Sequence, residues 1–259
     1  APDELEKAKY SAFRERSIGL GAMGFHAHLQ RHNIAFESAM AKGRNMQMFK
    51  HIKSEAERAT RILAEERGEC PDGVGHGVRN AHLLAIAPNA SSSIICGNTS
   101  PSIEPYRANA YVQKTKTGSS LMKNEYLEHH LDEIGHNTEE VWKSITTNNG
   151  SVAHLDFLDD WTKDVFKTAV EIDQRWVVDM AADRQKEICQ AQSLNLFFPG
   201  NVSKQELHAV HMMAWKQKVK TLYYLRSEAL KRAENVSVEA LRQYIFDTID
   251  EDGCLACQG

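Results

Sequence analysis

Apolar residues recur at three- and four-residue spacing through Phe49, Ile52, Ala56, Ala59 and Leu63, the pattern of an amphipathic helix that ends near Gly68 with Pro71 beyond. The first thirty residues are also helical in character. The stretch from Cys70 to Gly77, with three glycines and a proline, reads as a loop. After it the run Ala81-His82-Leu83-Leu84-Ala85-Ile86-Ala87 has the length of a buried strand, and Pro88 stops it. Small polar residues dominate from Asn89 to Pro105, a composition that favours hydrogen bonding over core packing.

Residues 111–118 are expected to form a strand, 139–147 and 156–189 helices, and Ser193–Phe198 another strand. Ser203 followed by Glu206 fits a capping box, which predicts a helix through Val210, Met213, Ala214 and Lys218. The β-rich segment Thr221-Leu222-Tyr223-Tyr224-Leu225 comes next. Helix followed by strand, more than once, predicts an α/β fold with buried strands.

At 259 residues the chain is long enough to bury a substantial core. A formal charge of −4 gives no field arguing for nucleic acid or an anionic membrane as partner. No run of roughly 18 apolar residues is present, and the first residues, APDELEKAKY, do not have the regions of a signal peptide, so the expectation is a cytoplasmic protein. Five cysteines are an odd number, and Cys70, Cys96 and Cys189 stand alone, unlike the paired framework of a secreted domain.

Five motifs remain as candidate chemistry. Gly19-Leu20-Gly21-Ala22-Met23-Gly24 has the letters of a dinucleotide-binding fingerprint, but its lead-in is charged and helical, so close helix packing through small residues is the preferred reading. The histidine pairs His26/His28, His129/His130 and His208/His211 lack the further donors that a metal centre needs, and no metal is expected. Cys254-Leu255-Ala256-Cys257 has no second pair for zinc and no thioredoxin-like setting, yet lies at the end of the chain, where a dithiol can reach a disulfide elsewhere and exchange with it.

Tyr223-Tyr224, in an extended strand, would point to opposite faces, one phenol toward an interior site and the other toward a subunit surface. Pro88-Asn89-Ala90-Ser91-Ser92-Ser93 offers N–H and hydroxyl donors that would suit a phosphate if a helix starts there.

Together these segments resemble the large subunit of class I ribonucleotide reductases along nearly the whole chain. Arg16-Ser17-Ile18-Gly19-Leu20-Gly21 is similar to the family's segment after its central active-site strand, and Gly77-Val78-Arg79-Asn80, continuing to Pro88, to the core of its signature. Ser102-Ile103-Glu104-Pro105, Gln192-Ser193-Leu194-Asn195 and Lys220-Thr221-Leu222-Tyr223-Tyr224 follow in the family's order.

The resemblance implies part of a ten-stranded α/β barrel with peripheral helices, residues 1–246, and a flexible redox tail, 247–259. It implies that Pro88, Asn89, Ala90, Ser91 and Ser92 hold the diphosphate of a ribonucleoside diphosphate. Tyr223, nearer an active-site cysteine, and Tyr224, nearer the small subunit, would relay a radical supplied by that metal-containing subunit. Cys254 and Cys257 would re-reduce an active-site disulfide and be reduced in turn by thioredoxin or glutaredoxin.

The family's thiyl-radical cysteine, active-site disulfide and allosteric sites belong to sequence that would precede Ala1. The chain is therefore expected to be a C-terminal fragment, inactive alone, that works with an N-terminal fragment of the large subunit. The alternatives are a module that docks on a reductase without taking part in turnover, and a stand-alone thiol-disulfide oxidoreductase.

Overall fold

A computed structural model of the chain describes residue 2, residues 4–115 and residues 118–227. Cys254, Cys257 and the tail 247–259 lie outside the described residues. Two helices, not one helical stretch, occupy the first thirty residues: α1 (Glu6–Glu15) and α2 (Phe25–Arg31), with an extended segment between them. The long amphipathic helix is α3 (Ala39–Arg67), started by the Ser38 side chain, which accepts the Ala41 N–H. Gly68, at φ 80°, ends it.

The framework is a row of parallel extended segments. Leu20 bridges Leu84, and Ile86 bridges Gln192, both in parallel. The third segment continues into β3 (Leu196–Phe198), which pairs in parallel with β4 (Leu225–Ser227). The order across the layer is thus residues 17–21, 82–86, 190–198 and 223–227. Segment 82–86 is extended as its apolar run predicts, and Leu84 and Ile86 are buried.

Helices cover this layer. One core joins Phe25, Leu29, Phe36 and Phe49 to Leu84, Ile86, Leu194 and Leu196, and Val178 and Met180 of α8 (Gln174–Gln185) enter it. Arg184 is buried there with neutral partners, donating to Gln192 Oε1 at 2.7 Å and Asn45 Oδ1 at 2.9 Å. A second core gathers Leu127 and Leu131 of α5 (Glu125–Glu133), Trp142 and Ile145 of α6 (Glu139–Thr147) and Val165 of α7 (Asp160–Val165).

Several expectations need correction. Residues 156–189 are not one helix, because Asp159 and Asp173 each accept an N–H of the helix that follows and so start α7 and α8 separately. The strand expected at 111–118 is a hairpin, β1 (Ala110–Thr115) against antiparallel β2 (Gly118–Lys123). Within the loop 89–105 lies a short helix, α4 (Ala90–Ile95). The capping box is present: Ser203 Oγ accepts the Glu206 N–H at 3.1 Å and opens α9 (Lys204–Lys216).

The glycines at 19 and 21 serve the extended layer and not helix packing. A Cβ on Gly21 would lie 2.7 Å from the Ala85 carbonyl oxygen, and one on Gly19 3.2 Å from the Ala85 Cβ. Strand 82–86 can therefore approach only a backbone without side chains at those points.

Candidate functional site

Pro88 ends the second extended segment, and Asn89 turns the chain into α4. Asn89 stands at φ 52°, in the left-handed region that asparagine tolerates better than most residues. Its carbonyl accepts the Ser93 N–H at 3.0 Å. The N–H groups of Ala90, Ser91 and Ser92 occupy the first turn of α4, where no intrahelical acceptor exists. All three residues are exposed. Asn89 and Ser92 line a cavity of about 290 Å³ whose remaining wall is Gly19, Gly21, Ala22, Met23, Ala85 and Ala87. Its floor is the glycine-bearing edge segment, so the small residues that let the strands approach also leave this space open.

The tyrosines sit at the other end of the layer. Tyr223 N–H donates to the Leu194 carbonyl, and the Tyr224 carbonyl accepts the Leu196 N–H, both at 2.9 Å. This ties the pair to the strand beyond Gln192, while Lys220 Nζ holds the turn by donating to the carbonyls of Ile188, Cys189 and Gln190.

The two rings do not diverge onto opposite faces as expected. Their centroids are 4.1 Å apart at an interplanar angle of 51°. The regular strand begins at Leu225, so the pleat that alternates side chains is not yet established at the tyrosines. Tyr223 is half exposed, and the Arg226 guanidinium lies 5.1 Å from the Tyr224 ring centroid.

Two residues beside the pair carry no role in the sequence reading. Asn195, buried, accepts the Tyr224 N–H through Oδ1 at 3.0 Å and donates through Nδ2 to Glu104 Oε1 at 2.6 Å. Glu104 is 4% exposed. Burial pushes its carboxyl up to about 7, against the opposing pull of Arg226, the Asn195 hydrogen bond and Arg107. A carboxyl between Ile103 and Pro105 and an amide between Leu194 and Leu196 are polar side chains in apolar settings. That contrast is the available sequence signal.

The histidines do not converge. His26 is fully buried, its Nδ1 accepts the Tyr106 N–H at 2.9 Å, and burial pushes it down to about 3, which keeps it neutral. His211 Nδ1 lies 2.7 Å from the Leu207 carbonyl of its own helix. Among the described residues no group of three or more His, Cys, Asp or Glu is placed to hold a metal ion. No helix among them is long and apolar enough to cross a membrane.

The family profile "Ribonucleotide reductase, barrel domain" matches residues 2–74 and 72–225. The putative ribonucleoside-diphosphate reductase large subunit of Frog virus 3 (isolate Goorha) is 51% identical over 253 residues, covering 98% of this chain and 44% of that relative. The large subunit of Invertebrate iridescent virus 6 is 48% identical over 241 residues, 92% of this chain and 25% of its own length. Among solved structures, the class Id ribonucleotide reductase alpha subunit of Actinobacillus ureae superposes with a TM-score of 0.81 at 40% identity, over 88% of this chain and 42% of that one.

The chain thus spans less than half the length of these relatives. With the profile running from α1 through the tyrosine pair, and the parallel layer reproduced in a solved relative, the chain belongs to the ribonucleotide reductase large-subunit barrel-domain family.

Proposed function

We propose that this chain is the C-terminal part of a ribonucleoside-diphosphate reductase large subunit and takes part in converting ribonucleotides to deoxyribonucleotides by a radical mechanism. The observation that carries this reading is the contact between the Tyr223 and Tyr224 rings, 4.1 Å apart, on a layer that also bears the Asn89–Ser92 cavity. A one-electron oxidant in the metal-containing small subunit takes an electron and a proton from the Tyr224 phenol. Tyr224 regains both from Tyr223, and Tyr223 regains both from a cysteine thiol of the N-terminal fragment, leaving the thiyl radical there. Two phenols with ring centroids 4.1 Å apart provide the short path such a transfer needs.

In this reading Pro88 and Asn89 shape the loop, and the N–H and hydroxyl donors of Ala90, Ser91 and Ser92 receive the diphosphate of a ribonucleoside diphosphate. Residues 1–246 form the barrel portion and 247–259 the tail. Cys254 and Cys257 reduce the disulfide left after turnover by thiol–disulfide exchange, become a disulfide themselves, and are reduced by thioredoxin or glutaredoxin in the cytoplasm. The chain binds no cofactor of its own.

The test is reconstitution. Mixing the chain with an N-terminal fragment of the large subunit and the small subunit yields deoxyribonucleotide, and each component alone yields none. Activity of the isolated chain, or an unchanged rate when it is omitted, contradicts the proposal.

A further inference from the structure

The hydrogen bonds around the tyrosines are one residue out of step with the strand that follows. Leu196 pairs with Leu225, and a regular parallel ladder extended back from that pair delivers the Tyr224 N–H to the Leu194 carbonyl. The Leu194 carbonyl receives the Tyr223 N–H instead, while the Tyr224 carbonyl still accepts from Leu196. Tyr223 and Tyr224 together therefore face the single residue Asn195, which is a β-bulge. The extra residue breaks the alternation of faces and lets the two phenols approach each other, in agreement with their centroid separation of 4.1 Å.

A bulge leaves one N–H of its strand without a ladder partner. Here it is that of Tyr224, and Asn195, the residue opposite, accepts it through its own side chain at 3.0 Å. With Oδ1 so engaged, the amide presents Nδ2 to Glu104 Oε1, which accepts it at 2.6 Å. Asn195 and Glu104 are both buried, so water competes little for either bond. Glu104 in turn sits on a fixed turn. Its N–H donates to the Pro101 carbonyl at 2.9 Å, Ile103 is buried in the main core, and the Ser102 carbonyl receives the Phe25 N–H at 3.1 Å.

We infer that Glu104 and Asn195 are the positioning residues of the tyrosine relay: the carboxyl orients the amide, the amide holds the bulge, and the bulge keeps the two rings in contact. The inference rests on the proposed relay. Its action passes through the Tyr224 backbone, so what Glu104 and Asn195 control is where the second ring stands against the first.

The experiment combines two readouts on the full chain. Proton cross-relaxation between the rings, in NMR spectra of the tyrosine-labelled chain, reports their contact, and turnover of the reconstituted complex reports the relay. Glu104→Leu fills a similar space and offers no acceptor. It loses the inter-ring cross-peak, keeps the amide-exchange protection of Leu196, and lowers kcat by roughly 100-fold with KM unchanged. Asn195→Ala, which removes the amide itself, does the same. Glu104→Gln retains an acceptor oxygen for Asn195 Nδ2 and so retains both the cross-peak and turnover.

A cross-peak that persists in Glu104→Leu and Asn195→Ala overturns the inference, as does full turnover without it. So does a Glu104→Gln chain that behaves like Glu104→Leu. Loss of Leu196 protection together with the cross-peak assigns the pair to strand stability alone, and also overturns it. The relay is judged separately: turnover by Tyr223→Phe or Tyr224→Phe removes it, and the inference with it.

Discussion

Asn195 Nδ2 donates to Glu104 Oε1 across 2.6 Å, and the same amide receives the Tyr224 N–H, so one side chain joins a buried carboxyl to the backbone of the tyrosine pair. Burial raises that carboxyl to about 7.

Replacing Glu104 by Gln removes a pH dependence of stability with a defined sign. The unfolded carboxyl titrates near its ordinary 4.5 and the folded one near 7. Below the first value both states hold the proton. Between the two the folded state keeps it and the unfolded state releases it, so stability falls as pH rises and levels off above the folded value. The loss is on the order of 3 kcal/mol for a shift of this size. Urea denaturation at several pH values checks it: Glu104→Gln matches the unsubstituted chain near pH 4.5 and exceeds it near pH 8.

Tyr223→Phe and Tyr224→Phe each abolish deoxyribonucleotide formation by the reconstituted complex, because a phenyl ring cannot give up the electron and proton together at the relay's potential. Tyr223 is half exposed, so its loss of a hydroxyl changes stability by less than about 0.5 kcal/mol. A rate assay run beside a thermal melt separates the two effects. Unchanged turnover in either variant removes that ring from the relay.

Where the sequence was legible, local rules governed. Ser203 caps the helix that follows it, as its spacing to Glu206 predicts, and Gly68 ends α3, because capping depends on residues within one turn. The loop after Pro88 could be singled out for the same reason, since its donors are contiguous.

What escaped the reading depends on neighbours distant in sequence. Gly19 and Gly21 take their meaning from Ala85, across the layer, and patterning along 17–24 does not show it. Glu104 acquires its raised titration from burial, against the opposing hydrogen bond from Asn195, 91 residues away. The tyrosines were expected to diverge because the strand was assumed to start before them, whereas it starts at Leu225.

Two glycine-to-alanine changes of opposite sign follow from the packing. At Gly21 the added methyl meets the Ala85 carbonyl oxygen at 2.7 Å, backbone against backbone, so Gly21→Ala destabilises by about 1–3 kcal/mol and narrows the cavity beside Asn89. Gly43 lies within α3 with nothing within 4 Å of the new atom, so Gly43→Ala stabilises by about 0.5–1 kcal/mol. Denaturant midpoints of the two variants, measured together, move in opposite directions.

Substitutions in the loop and tail separate binding from recycling. In the proposed role of the loop, Ser92→Ala removes a hydroxyl donor to the diphosphate; a hydrogen bond to a charged group contributes about 1.5–3 kcal/mol, so KM for the ribonucleoside diphosphate rises roughly 10- to 100-fold. Cys254→Ser or Cys257→Ser leaves KM unchanged, because the proposed role of the tail comes after product has formed. With thioredoxin as reductant either cysteine variant gives one burst of product and stops, since the disulfide left by the first turnover has no dithiol to exchange with. A small dithiol that enters the site directly restores continuous turnover. Full thioredoxin-driven turnover in the double serine variant would show that another couple recycles the enzyme.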